Sequence, residues 1–127
     1  MESITAEQAR EMRNDALKKK KEERFKKAQT YDYFTIVMET IETAANDGKN
    51  NVGFFPHGSD YYDEIIQSGK LVQAEEKDFT NQQKEVFAVL EQSLGYKVAY
   101  NSNYQVTFFR AGIDRIDITI SKCSIYW

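Results

Sequence analysis

From Ala6 to Asn46 the chain runs for 41 residues without a proline or a glycine, and nothing else in the sequence restricts its fold as strongly. Thr5 followed three residues later by Gln8 has the form of a capping box, so a helix is expected to begin at Ala6. Gly48 is the first stop signal. In the second half of the stretch, Phe34, Val37, Met38, Ile41, Ala44 and Ala45 recur every three to four residues and form one apolar stripe. The first half is different: residues 10–27 hold nine basic and four acidic side chains, with apolar contributions only from Met12, Ala16, Leu17 and Phe25. An unbroken helix to Asn46 would be ~60 Å long, whereas a compact chain of this length is ~36 Å across. The helix would overhang its own body and bury Met12, Leu17 and Phe25 only against another chain. The alternative is a break near Thr30 to Tyr33, where β-branched and aromatic residues lower helix propensity.

The run Asn46-Asp47-Gly48-Lys49-Asn50-Asn51 reads as a loop, and Val52 to Phe55 as a short strand closed by Pro56. Ser59 or Asp60 is expected to cap a short helix through Ser68, ended by Gly69 and burying Tyr61, Tyr62, Ile65 and Ile66. A second capping box, Thr80 with Gln83, opens a helix with Val86, Phe87, Leu90 and Leu94 on one face and Gly95 as its stop. The period then changes to two. Tyr96, Val98 and Tyr100, then Tyr104, Val106 and Phe108, then Ile116, Ile118 and Ile120 predict three short strands, with turns at Asn101-Ser102-Asn103 and Ala111-Gly112. After Ser121 the parity flips to Cys123, Ile125 and Trp127, which a bulge or a change of neighbour would explain.

The expected fold class is α+β: a long N-terminal helix and two shorter helices on a small, mostly antiparallel sheet that ends in a three-stranded meander. Residues 1–33 form a basic helical arm continuous with a single α+β body, residues 34–127. With 41% hydrophobic and 29% charged residues the chain has enough apolar material for one core. One cysteine excludes an internal disulfide, and one cysteine with one histidine leaves no thiolate–imidazole zinc set. No apolar run approaches the ~20 residues of a membrane span, and Met1 to Arg13 lacks the apolar segment of a secretory signal. The expected location is the cytoplasm in which the chain is made.

Charge is the most suggestive feature. Residues 10–27 carry a net of +5, and residues 28–127 carry eight positive against fourteen negative side chains. The cationic run Lys18, Lys19, Lys20 and Lys21 with Arg24 has three readings. It is a solvated helix held by local pairs such as Lys18–Glu22 and Lys19–Glu23, a surface that docks on acidic protein including a neighbouring copy, or a phosphate-binding helix. No aromatic interleaving supports base stacking. Asp60, Asp63 and Glu64 suit the first turn of a helix, while Asp114 and Asp117 point to opposite faces of a strand. His57 is a loop histidine without a partner in the sequence, and Cys123 a small buried hydrophobe. No catalytic residue, metal site or cofactor is expected. The C-terminal aromatics exceed what one side of a small sheet hides, so Phe109, Tyr126 and Trp127 join Met12, Leu17, Phe25 and the cationic run as expected partner contacts.

The segment Ser3-Ile4-Thr5-Ala6-Glu7-Gln8-Ala9-Arg10, the helix end Ile41-Glu42-Thr43-Ala44-Ala45, the run Leu94-Gly95-Tyr96-Lys97-Val98 and the close Ile125-Tyr126-Trp127 together resemble a loose group of small tailed-bacteriophage proteins. The likeness spans most of the chain but departs at Val72 to Phe79 and in a longer last hairpin. It implies a phage product made in the host cytoplasm: a non-enzymatic virion or assembly protein, such as a head decoration, cement or tail-associated subunit, that meets other virion proteins or copies of itself. The alternatives are a soluble phage factor that inhibits a host or defence component, and a basic-helix nucleic-acid accessory protein. No membrane partner is expected.

Overall fold

A computed structural model describes residues 3–68, 77–110 and 114–127. In order, the elements are α1 (Ala6–Gln29), α2 (Asp32–Asn46), β1 (Asn51–Phe54), α3 (Ser59–Gln67), α4 (Asn81–Leu94), β2 (Lys97–Arg110) and β3 (Asp114–Tyr126). The α+β class therefore holds, with a long N-terminal helix and a three-stranded antiparallel sheet in the order β1-β3-β2. The strands are not three consecutive C-terminal ones. β1 supplies one edge, and the expected turn at Asn101-Ser102-Asn103 is an irregularity within a single long β2. The expected stop at Gly69 and turn at Ala111-Gly112 lie outside the described residues.

Both capping boxes form. Thr5 accepts the Gln8 N–H and Thr80 accepts the Gln83 N–H, while each glutamine side chain accepts the threonine N–H in return. Gly48 and Gly95 both adopt positive φ, the left-handed conformation that ends α2 and α4 without a Cβ clash. The N-cap position of α3 is Gly58, before the expected Ser59 or Asp60.

The long helix breaks at Thr30 and Tyr31. Thr30 Oγ1 donates to the Lys27 carbonyl at 2.6 Å, and Tyr31 leaves the helical region with φ −83 and ψ 134. A threonine hydroxyl that bonds back into the preceding turn offers the backbone an alternative to helix continuation. One ring contact and one hydrogen bond hold the corner: Phe25 meets Phe34 edge-on at 6.1 Å, and the Tyr31 hydroxyl donates to Glu85 at 2.7 Å. Phe25 thus packs within its own chain instead of waiting for a partner.

The sheet carries a core on each face. Cys123 and Ile125 of β3 lie with Val37 and Ile41 of α2, Phe54 of β1, and Val86, Phe87 and Leu90 of α4. Ile118 and Ile120 of the same strand lie instead with Tyr62 and Ile66 of α3. The parity change in β3 is therefore a change of face. In β2 the same change is made differently: Asn101 pairs with Lys122 and Tyr104 with Ile120, so Ser102 and Asn103 together oppose Ser121. That bulge rotates Tyr104, Val106 and Phe108 to the α3 side, although they keep the sequence parity of Val98 and Tyr100.

Candidate functional site

The basic helix does not stand alone. α1 and α4 run antiparallel: Tyr31 lies beside Glu85 in the second turn of α4, and Leu17 lies beside Gln92 near its end. Residues 6–16 continue past that end and are exposed throughout, with Met12 60% exposed. The only fully buried residue of α1 is Ala28, where a small side chain lets the helix approach its neighbours.

Between the two helices runs a groove formed by two adjoining concavities. One, of about 340 Å³, is lined by Arg24, Lys27, Glu85, Ala88 and Val89. The other, of about 280 Å³, is lined by Leu17, Lys20, Lys21, Arg24 and Gln92. Arg24 lines both, so the two lie side by side along α1. The helix period selects these residues: positions 17, 20, 21, 24 and 27 fall on one face, while Glu22 and Glu23 fall elsewhere. A stretch of mixed charge in sequence therefore becomes a four-cation wall in space.

That wall has little internal counter-charge. The pairs expected at Lys18–Glu22 and Lys19–Glu23 do not form, since among the described residues the ion pairs are Lys84–Asp78 at 3.6 Å and Arg115–Asp117 at 3.2 Å. Glu85 is the one carboxylate in the lining, and it accepts the Tyr31 hydroxyl bond. This bond, followed by desolvation, raises the Tyr31 phenol above its ordinary range. The floor is apolar, from Ala88 and Val89, and Leu17 at 56% exposed forms its open end.

The remaining expected contact residues are dispersed. Lys18 and Lys19 are exposed on α1 but do not line the groove. Phe109, 71% exposed, pairs with Arg115 toward the tip of the hairpin, whereas Tyr126 pairs with Lys97 at its base. Twelve strand positions separate the two sites, roughly 40 Å. The Trp127 ring meets Tyr96 edge-on at 6.4 Å, and its backbone N–H donates to the Asn50 carbonyl. The structure thus does not unite the aromatics in one patch. Sequence reasoning missed the other wall, Glu85, Ala88, Val89 and Gln92. Its signal was present in Val89, an apolar residue off the expected stripe of Val86, Phe87 and Leu90 that is buried on the α1 side. Leu94, expected on that stripe, is instead 39% exposed.

Other reactive groups are structurally occupied. Burial pushes the Cys123 thiol up to about 12, which leaves it protonated and unreactive near neutral pH. His57 stacks on Tyr61 at 3.8 Å between centroids. Asp117 accepts from Thr107 and Arg115, which holds its carboxyl below the ordinary range. Among the described residues, no three His, Cys, Asp or Glu side chains gather as a metal site, and no helix is long and apolar enough to cross a membrane. No family model matches this chain, and neither a curated protein nor a solved structure does.

Proposed function

We propose that this protein is a non-enzymatic assembly subunit that acts by docking an acidic protein segment into the groove between α1 and α4. The observation that carries the reading is the alignment of Lys20, Lys21, Arg24 and Lys27 over an apolar floor of Ala88 and Val89. Cations at a rim steer and orient an oppositely charged partner, while desolvated apolar contacts hold it. A groove between two helices accepts an amphipathic helix as its natural ligand. The sequence resemblance to small tailed-phage proteins supports reading such a subunit as a virion component, a decoration, cement or tail-associated protein made in the host cytoplasm.

A phosphate backbone would also be drawn to the four cations, but it has no use for an apolar floor. Titration with a synthetic acidic helical peptide that carries one leucine between glutamate turns separates the two. Binding of the peptide that weakens with salt and disappears in Lys20→Glu/Arg24→Glu supports the protein reading. Steeply salt-dependent binding of random duplex DNA with no binding of the peptide overturns it. Mass spectrometry of purified particles checks the virion assignment: a structural subunit is present in many copies, and its absence rejects that assignment.

A further inference from the structure

We infer that the acidic segment is supplied by a second copy of this chain, whose α2 docks by its exposed stripe into the α1–α4 groove. The inference rests on the groove reading above and names its occupant. α2 contains three acidic residues and no basic one, whereas α1 contains nine basic and five acidic residues. Along the outer side of α2, Asp32, Ile36 and Glu39 follow at spacings of four and three residues, which places them on one face. All three are exposed, and Ile36 stands 55% exposed on a helix whose other large aliphatics, Val37 and Ile41, are buried.

This stripe complements the groove in order as well as in sign. Asp32 to Glu39 spans seven residues, or about 10.5 Å of helix, and Lys20 to Lys27 spans the same. With the acids set against the two ends of the cationic wall, the isoleucine falls on its middle, where Arg24 borders Ala88 and Val89. The groove and the stripe share no residue, so one copy can present both at once. A contact between two different surfaces of the same chain either closes, as a reciprocal two-fold dimer or a larger ring, or runs on as an open filament.

Sedimentation velocity across protein concentration, at low and high ionic strength, tests the pairing. Wild-type protein should form dimers or larger species, and salt should dissociate them. Reversing the groove with Lys20→Glu/Arg24→Glu, or the stripe with Asp32→Lys/Glu39→Lys, should weaken association by roughly a hundredfold in each variant alone. Mixing the two variants should restore it, because an acidic groove then meets a basic stripe while the second variant's intact groove meets the first variant's intact stripe. Circular dichroism reports whether each variant folds. Should the stripe variant fail to fold, Ile36→Lys replaces it: a cation set against Arg24 repels it and forfeits the apolar contact, and its expected loss of association is the same. A monomeric wild type, or reversed variants that associate like wild type, overturns the pairing. If monomeric wild type still binds the acidic leucine peptide, the groove reading stands and only its occupant is wrong.

Discussion

Asp78 lies just before α4 and ties β3 and α4 together through one carboxylate. Its Oδ1 accepts from Ser121 of β3 at 2.9 Å and from the Phe79 N–H, and Oδ2 lies 3.6 Å from the Lys84 ammonium. The hydrogen bond from Ser121 is the largest influence and holds the carboxyl below its ordinary range, against a smaller opposing desolvation. The sign of the linkage follows. An acid whose folded pKa is depressed adds stability above its unfolded pKa, near 4 as an order of magnitude, and loses it as pH falls through the folded value. Asp78→Asn should therefore leave a shallower loss of stability below about pH 4 than wild type, as read by denaturant midpoints across pH. The effect is small, because the side chain is 56% exposed and screened by solvent. None of this was legible in the sequence, where Asp78 and Ser121 are separated by 43 positions.

The two capping boxes are chemically equivalent and mechanically different. Thr80 starts α4, whose Val86, Phe87 and Leu90 are fully buried, so loss of its cap is felt by the whole domain. Thr5 starts the exposed end of α1, which can fray without disturbing the core. Thr80→Ala should cost about 1 kcal/mol of global stability in urea unfolding, and Thr5→Ala no more than a few tenths. These helix boundaries could be read directly, because a capping box satisfies its own backbone donors within four residues. The helix break was legible only as an alternative, since Thr30 and Tyr31 lower propensity but the Tyr31–Glu85 bond that fixes the corner spans 54 residues. The bulge in β2 was hidden more thoroughly. Asn101-Ser102-Asn103 has turn composition, and the choice between turning and bulging was made by pairing with β3 across the whole hairpin.

At the scale of the molecule, stability and charge are unevenly distributed. β3 lies between β1 and β2 and contributes to both cores, while α1 touches the body through its C-terminal half and overhangs with residues 6–16. Amide hydrogen exchange should therefore be slowest around Cys123, Ile125 and Leu90 and fastest in residues 6–16, with the groove segment 17–28 between them. Protection of residues 6–16 that rises with protein concentration would show that association reaches beyond the groove to the overhang. The sequence by itself determined where α1 and α4 begin and where α2 and α4 end, that one arm is basic and the rest acidic, and that Cys123 is a packed hydrophobe. Each of these depends on neighbours a few residues away or on simple composition. The tertiary structure alone decided which strand is central, which face each half of the hairpin presents, and which cations of the arm line a groove. Those outcomes depend on α4 and α1 lying side by side and on the register between distant strands, contacts whose partners no local pattern specifies.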